Sequence, residues 1–356
     1  MYTEIRPGLF STASPPRRKL IAMITPAPMA ERAAEFRKRF ADLEAEIGQV
    51  IVGQPEIVRG VLTGLFVGGN VLLEGVPGLG KTLIVRTLSQ VLDLKFTRIQ
   101  FTPDLMPSDI VGTDIILETP EGRRERRFQS GPLFSQIVLA DEINRAIPKT
   151  QSAMLEAMQE GTVSVGGTTH QLPKPFFVLA TQNPIEQEGT YPLPEAQLDR
   201  FLFKLLVPFT TRDELKLIID RTTQNVKLHA RKVMDASEIG QWMELVREVL
   251  VATAVQDYAI RLLLATHPNS EFATADTNRF LRAGGSPRGA QALILTAKVR
   301  ALLDGRFNVS FEDIRKVYFP AMRHRVLLNF EAQAENVSSD SVLAAILNEV
   351  KDKDGK

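Results

Sequence analysis

The segment Gly75-Val76-Pro77-Gly78-Leu79-Gly80-Lys81-Thr82 fits the pattern G-x-x-x-x-G-K-[ST] of a phosphate-binding loop. Residues 70–74 before it are mostly apolar and strand-like, and residues 83–92 after it have helical spacing. In such a strand–turn–helix unit, backbone N–H groups and the helix N-terminus face the phosphate oxygens. We expect Lys81 to meet the β- and γ-phosphates and the Thr82 hydroxyl to coordinate Mg²⁺. The loop therefore predicts a site for a nucleoside triphosphate.

A second strand ends in two acids. Residues 137–140 are apolar, and Asp141 and Glu142 follow them, at the end of a strand where open α/β sheets place their ligand groups. We expect Asp141 to hold Mg²⁺ through its water shell and Glu142 to act as general base on the attacking water. Two such acids often only cap the next helix, but the loop upstream favours the catalytic interpretation.

Three polar residues further along the chain are candidates for phosphate contacts. Asn183 follows the apolar strand 176–181 and is predicted to orient the hydrolytic water or to sense the γ-phosphate; a turn asparagine is the alternative. Arg200 is either an exposed helix-end residue or an arginine offered to a neighbouring subunit's phosphate. Arg288 begins a helix, where a cation opposes the helix dipole unless an anion lies nearby.

The residues ahead of the loop predict two helices and part of a base pocket. Apolar spacing predicts an amphipathic helix over 30–47, and Pro55 is suited to begin the next one. Between them, Val52 and Gly53 are predicted to line an adenine pocket with backbone groups, although a turn in the core is the alternative. Leu83, directly after the loop, completes the predicted nucleotide contacts.

The order of elements predicts an α/β fold, with a P-loop core followed by an all-α lid. The core, 29–209, is expected to hold a parallel sheet between helices, with hairpins at 114–129 and 162–172 and a short helix within 102–110. The lid, 210–350, is predicted to contain helices over 211–225, 237–250, 254–267, 287–303 and 310–324. Residues 1–28 are interpreted as a disordered leader rather than an export signal, and residues 351–356 as a frayed tail.

Composition limits the classes of function. The 356 residues carry a net charge of +1 and include 44% hydrophobic and 24% charged residues, which is typical of a soluble globular protein. The absence of cysteine excludes disulfides and thiolate metal sites and is compatible with the cytoplasm, the predicted location. No apolar run is long enough for a membrane span. The near-neutral charge argues against nucleic acid as a partner. For the arginines of the first hairpin two interpretations are open, a contact with nucleic acid or an acidic partner and a simple solvated edge.

Five segments together resemble the AAA+ ATPases and, within them, the MoxR family, over roughly residues 45–325. The segments are Gly75-Val76-Pro77-Gly78-Leu79-Gly80-Lys81-Thr82, Leu139-Ala140-Asp141-Glu142-Ile143-Asn144-Arg145-Ala146, Ala180-Thr181-Gln182-Asn183-Pro184, Leu193-Pro194-Glu195-Ala196-Gln197-Leu198-Asp199-Arg200-Phe201 and Gly285-Ser286-Pro287-Arg288-Gly289. The usual Ser-Pro-Arg-Ala of the family is Ser-Pro-Arg-Gly here, which keeps the arginine.

The resemblance implies roles that spacing alone does not. Asn183 resembles sensor 1, Arg200 the arginine finger acting on the next protomer, and Arg288 sensor 2, in its own subunit or in trans. It implies an ATPase that forms a homo-oligomeric ring, expected to be a hexamer, with ATP and Mg²⁺ as cofactors. It also implies a chaperone that remodels a partner, expected to be a protein with a von Willebrand factor A domain in a separate chain.

Three other functions remain open at this stage. Related cores work as nucleic-acid motors, but the chain lacks a basic domain and any basic stretch interleaved with aromatic residues. The ATPase subunit of magnesium chelatase uses a similar core. A nucleotide-gated scaffold with little hydrolysis is a further alternative, which the presence of Glu142, Asn183 and Arg200 makes less attractive.

Overall fold

The structure is a computed structural model that describes residues 26–76, 78–118, 120, 122–184, 189–223 and 229–352. Pro77 of the loop, residues 1–25 of the predicted leader 1–28 and residues 353–356 of the predicted tail 351–356 lie outside these residues. Residues 26–28, predicted as part of the leader, lie in the first helix. The described strands are β1 Val71–Glu74, β2 Phe96–Gln100, β3 Gly112–Glu118, β4 Arg124–Ser130, β5 Ile137–Asp141, β6 Thr162–Val165, β7 Thr168–Gln171, β8 Phe177–Gln182, β9 Phe203–Leu206, β10 Leu281–Ala283 and β11 Leu327–Leu328.

The helices are distributed before, between and after these strands. They are α1 Pro26–Val50, α2 Pro55–Val67, α3 Lys81–Val91, α4 Pro107–Val111, α5 Pro148–Glu160, α6 Glu195–Leu198, α7 Arg212–Thr222, α8 Ala236–Glu248, α9 Thr253–Leu264, α10 Ala275–Phe280, α11 Pro287–Leu303, α12 Phe311–Met322, α13 Phe330–Ala334 and α14 Ser339–Glu349. None of these helices is long and apolar enough to cross a membrane.

A five-stranded parallel sheet in the order β2-β5-β8-β1-β9 forms the centre of the fold. All five residues of β5 are buried, as expected for a strand covered by helices on both faces. The register aligns Glu74 with Gln182 and Gln100 with Asp141. The carboxyl ends of the strands therefore lie at one edge, and the α/β prediction is confirmed.

Two antiparallel hairpins extend from this core, as the sequence predicts. Strand β3 pairs with β4, and β6 pairs with β7 through Gly166-Gly167, whose positive φ angles of 56° and 83° suit a two-residue turn. The two hairpins contact each other: the Phe128 ring of β4 stacks on the His170 ring of β7, with 3.8 Å between the ring centroids. An Arg126 guanidinium nitrogen also donates to the Gly166 carbonyl at 3.2 Å.

Some helix boundaries differ from those that the sequence predicts. Within 102–110 the helix begins only at Pro107, because proline lacks an N–H donor and fits the first helical position rather than the interior. The five lid helices predicted from periodicity are present within a few residues of the expected bounds, but α10, α13 and α14 were not predicted.

The helices on both sides of residue 210 share one hydrophobic core. The rings of Phe36 in α1 and Phe66 in α2 meet edge to face at 5.2 Å, and Phe36 also meets Trp242 of α8 at 5.7 Å. Edge-to-face aromatic pairs of this kind stabilise beyond their burial. The first two helices therefore join the sheet to the helical part of the chain.

Candidate nucleotide-binding site

The glycine-rich loop follows β1 and leads directly into α3. Gly78 and Gly80 have φ angles of 84° and 75°, a left-handed conformation that glycine adopts without the cost of a Cβ atom. The Lys81 ammonium group donates to the Gly75 carbonyl at 2.5 Å and to the Val76 carbonyl at 3.4 Å. Both acceptors belong to the loop itself, so the cation is held where a phosphate chain would be bound.

A cavity of about 860 Å³ lies beside the loop and has the size of a nucleotide site. The predicted contacts Val52 and Leu83 line it together with Gly78, Leu79 and Gly80, whereas Gly53 is not among its lining residues. Sequence reasoning missed the other lining residues, which include Gln54, Thr87, Gln90, Ile218, Arg221, Thr222 and His229. Part of the cavity wall therefore comes from α7 and the residues after it, which carry no local nucleotide motif.

Gln54 has an unusual position in this wall. It has a left-handed backbone, with φ at 59°, and its side-chain amide donates to the Leu79 carbonyl at 3.2 Å. Its buried Oε1 has no hydrogen-bond partner within the described part of the chain. The side chain thus links the start of α2 to the loop and leaves one acceptor unsatisfied.

Asp141 lies at the end of β5 and is only 7% exposed. Its Oδ1 accepts a hydrogen bond from the Thr181 hydroxyl at 2.6 Å, and its Oδ2 accepts from Arg98 Nε at 2.9 Å and Nη2 at 2.7 Å. A carboxylate oxygen and the Thr82 hydroxyl are hard oxygen ligands, which fit Mg²⁺ when phosphates and water complete its shell. No cluster of three His, Cys, Asp or Glu residues suited to a metal cage occurs among the described residues.

Glu142 follows directly and has a left-handed backbone, with φ at 56°, a strained conformation that is common at functional sites. Its N–H donates to Thr181 Oγ1 at 2.8 Å. Its carboxylate accepts from Gln100 Nε2 at 2.9 Å and from Arg145 Nη1 at 3.1 Å. The predicted base is therefore held by donors from β2 and from the turn after β5.

Asn183 comes one residue after β8 and is 5% exposed. In the sheet, β8 lies between β5, which ends at Asp141, and β1, which leads into the loop. Asn183 is therefore brought to the same edge as the two acids and the loop. We call Gly75–Thr82, Asp141, Glu142 and Asn183 the loop edge.

The two remaining predicted residues, Arg200 and Arg288, lie elsewhere. Asp199, next to Arg200, accepts a hydrogen bond from the Ser286 hydroxyl at 2.8 Å and has Arg288 Nη1 at 3.6 Å. Arg325 Nε also donates to the Asp199 carboxylate at 3.0 Å. We call Asp199, Arg200, Ser286, Arg288 and Arg325 the arginine cluster. None of its members lines the nucleotide cavity.

The arginine cluster has a buried anchor. The Arg325 side chain is only 2% exposed, and burial lowers its pKa to about 10 although Asp199 opposes the shift. It also donates to the carbonyl groups of Phe201 and Leu202, at 2.7 and 3.2 Å. Such a guanidinium, with its donors satisfied on all sides, fixes the backbone on which Arg200 stands.

Sequence reasoning missed Arg98, Gln100, Thr181 and Arg325. The first three residues lie in segments that the sequence predicts as strands. A polar residue near the end of a strand, beside a strand that ends in acids, could have indicated a contact with those acids. Their contacts depend on the parallel register, however, which the sequence does not give. Arg325 is placed by packing of the lid on the core, and no local pattern marks it.

Comparisons with known proteins agree with this geometry. Residues 70–203 match the profile of the ATPase family associated with various cellular activities (AAA), and residues 273–346 match that of the AAA lid domain. The chain is 43% identical over 305 residues to Chaperone MoxR1 of Mycobacterium tuberculosis, covering 86% of this chain and 80% of that protein. It is 31% identical over 344 residues to Protein MoxR of Methylorubrum extorquens, covering 90% and 98%.

A solved structure is similar in fold as well as in sequence. The crystal structure of a presumed ATPase from Cytophaga hutchinsonii superposes with a TM-score of 0.84 at 39% identity, covering 91% of this chain and 98% of the other. This similarity extends over the core and the lid together.

Proposed function

We propose that this chain, which belongs to the MoxR family of AAA+ ATPases, hydrolyses ATP with Mg²⁺ in a homo-oligomeric ring and thereby remodels a partner protein. The observation that carries the proposal is the loop edge, where the phosphate-binding loop, Asp141, Glu142 and the buried Asn183 share one end of the sheet. This is the set of groups that phosphoryl transfer to water requires.

Each residue of the loop edge has a defined task in this proposal. The loop and Lys81 bind the β- and γ-phosphates, and Asn183 orients the attacking water. Glu142 accepts the proton of that water as it attacks. Thr82 and Asp141 would hold Mg²⁺, whose charge offsets that of the phosphates. Arg98 donates to Asp141 and Gln100 donates to Glu142 in this structure. These hydrogen bonds have to break before Asp141 can bind Mg²⁺ and Glu142 can accept a proton.

The arginine cluster supports the ring. Arg200 directly follows Asp199, whose carboxylate lies 3.6 Å from Arg288 Nη1, and neither arginine lines the nucleotide cavity of its own chain. An arginine that contacts the transferred phosphate raises turnover about 10³–10⁵-fold. We infer that both arginines serve the site of a neighbouring subunit, so that a closed ring, expected to be a hexamer, completes every site.

The partner is expected to be a protein, and specifically one with a von Willebrand factor A domain in a separate chain. The relative from Mycobacterium tuberculosis is named a chaperone, which supports remodelling of a protein rather than work on nucleic acid. The chain's net charge of +1 gives no general attraction to nucleic acid.

The experiment that tests the proposal is a substrate trap with Glu142→Gln. This variant should bind ATP with Mg²⁺ but hydrolyse it at least about a hundredfold more slowly, because the base is lost. Purification of the trap with ATP from its native cell, followed by mass spectrometry, should recover a partner protein. Lys81→Ala, which should not retain nucleotide, is the matched control and should recover none.

Other outcomes would redirect the assignment. Recovery of nuclease-sensitive DNA or RNA with the trap would favour a nucleic-acid motor. A requirement for porphyrin metallation genes or substrates would favour the ATPase subunit of a magnesium chelatase. If the wild type hydrolysed no ATP in any oligomeric state, the ATPase proposal would be wrong.

A further inference from the structure

A second cavity, of about 460 Å³, lies between the edge strand β9 and the helices α2, α11 and α12. It shares no lining residue with the nucleotide cavity. Its volume falls within the roughly 300–1,000 Å³ of sites for small molecules. Neither the loop edge nor the arginine cluster contributes to it, so the proposed ATPase mechanism does not use it.

Positive charge dominates its wall. Four cations and one acid line the cavity: Arg59, Arg300, Lys316, Arg323 and Glu56. The acid is at the mouth, since the side chain of Glu56 is 80% exposed. The cations come from α2, α11, α12 and the residue after α12, so that folding, and not local sequence, brings them together.

Two of the cations already have partners. Arg59 Nε pairs with Glu44 at 2.9 Å, and Arg323 Nη2 pairs with Asp340 at 2.8 Å. These ion pairs fix the two side chains at the sides of the cavity. Glu44 and Asp340 do not line the cavity, and Arg59 Nη1 also lies 3.3 Å from the carboxylate of the lining residue Glu56, so the charges of both arginines are largely neutralised.

The other two cations lack such partners. Within the described ranges, neither Arg300 nor Lys316 forms an ion pair, and the buried Nε of Arg300 has no hydrogen-bond acceptor. A buried donor without an acceptor is unfavourable and is uncommon in folded proteins. That Nε is itself shielded from solvent, whereas Lys316 is exposed. The cavity wall thus includes an arginine and a lysine that form no ion pair within the described ranges.

The remainder of the wall is apolar. Phe203 and Leu205 of β9 and Val317 and Pro320 of α12 all line the cavity. An inorganic ion alone would leave these surfaces without contact, whereas a molecule with an apolar or ring portion would cover them.

We propose that this cavity binds a small phosphate ester, with its phosphate at Arg300 and Lys316 and its organic portion against the apolar wall. Arginine offers a fork of N–H donors that matches phosphate geometry, and lysine adds a second positive charge. Because the wall combines α2 and β9 with α11 and α12, the bound ester would hold the lid helices against the edge of the sheet.

The test uses phenyl phosphate as the probe and isothermal titration calorimetry as the measurement. The full chain carrying Lys81→Ala removes phosphate binding at the loop and should still bind one phenyl phosphate per chain at millimolar concentration. Adding Arg300→Gln and Lys316→Gln should weaken that binding at least about tenfold, since two charge-assisted contacts are lost. Arg300→Lys, which keeps a cation, should retain most of it.

Arg315→Gln is the matched control. It removes a neighbouring cation of α12 that does not line the cavity and lies over the Tyr258 ring, 5.6 Å from its centroid. This variant should bind phenyl phosphate as Lys81→Ala alone does. Absence of saturable binding to Lys81→Ala, binding that survives loss of both Arg300 and Lys316, or an equal loss in Arg315→Gln would each overturn the proposal.

Discussion

The loop edge and the arginine cluster contain the two halves of the proposed catalytic machinery, and they are built differently. The loop edge is assembled at the strand ends of one sheet: Asp141 ends β5, Glu142 and Asn183 directly follow β5 and β8, and the phosphate-binding loop directly follows β1. The arginine cluster is assembled from the turn before β9, the start of α11 and the turn after α12. The first therefore depends on the core alone, and the second depends on how the lid packs against it.

This difference separates chemistry from assembly. Changes at the loop edge should abolish hydrolysis without altering how subunits meet. Changes in the arginine cluster should leave nucleotide binding intact and act on the neighbouring site. The predictions below test this division, beginning with the largest expected effect.

Arg200→Ala should lower turnover about 10³–10⁵-fold while leaving ATP affinity nearly unchanged. Steady-state hydrolysis and equilibrium ATP binding measure the two effects. Mixing this variant with Glu142→Gln should restore part of the activity, because an intact Glu142 on one subunit then meets an intact Arg200 on the next. If mixing restored nothing, although mixed rings form, the assignment of Arg200 to a neighbouring site would fail.

Arg325→Met should lower the free energy of unfolding by about 3–5 kcal/mol, because it leaves Asp199 without its buried partner. Chemical denaturation measures the loss. Arg282→Met is the control, since Arg282 forms an ion pair with Glu195 in which both side chains are more than half exposed, and such pairs contribute little. Equal effects of the two substitutions would show that Arg325 does not anchor the arginine cluster.

His324 should make the free energy of unfolding depend on pH. Burial, with a contribution from Arg325, lowers its pKa well below the ordinary value of 6.5, and its Nε2 lies 3.0 Å from the Phe201 carbonyl. Just below pH 6.5, His324 therefore binds a proton in the unfolded chain but not in the folded chain. Stability should fall as the pH drops below 6.5, by about 1.4 kcal/mol per pH unit.

His324→Gln is the matching variant, because its amide N–H can still donate to Phe201 while it no longer titrates. Its melting temperature should vary less between neutral pH and pH 5 than that of the wild type. An unchanged pH profile would exclude His324 as the titrating group.

Arg98→Gln should have the smallest effect. The arginine pairs with Asp141, the expected Mg²⁺ ligand, but its side chain is 48% exposed, so solvent weakens the pair. We expect the Mg²⁺ concentration for half-maximal activity to fall about two- to fivefold. Arg145→Gln, which removes a contact to Glu142 instead, should leave that concentration unchanged; a rise in the Arg98 variant would contradict competition between Arg98 and Mg²⁺.

The same division explains how much the sequence could predict. The loop, the two acids and Asn183 were predicted because a few consecutive residues determine each of them. Arg98 and Gln100 are ordinary polar residues of β2 until the register places them beside Asp141 and Glu142. Arg325 and His324 follow α12 without any pattern, since their importance comes from the turn before β9 that they bind.

Short helices were also difficult to predict from the sequence. Helices α10 and α13 have only six and five residues, too few to establish a helical period. The predicted adenine contacts were near the cavity but incomplete, because α7 and its following residues lie far from the loop in sequence. Tertiary packing, rather than local propensity, determines both these short helices and the cavity wall formed by α7.

The chain contains a single tryptophan, Trp242, and it lies where α1, α2 and α8 meet. Its ring touches Phe36, and its indole N–H donates to Glu238 at 3.3 Å. Tryptophan fluorescence therefore has one source, located between the sheet's covering helices and the lid. Rapid-mixing fluorescence on unlabelled protein can follow that junction through a cycle of ATP binding, hydrolysis and product release.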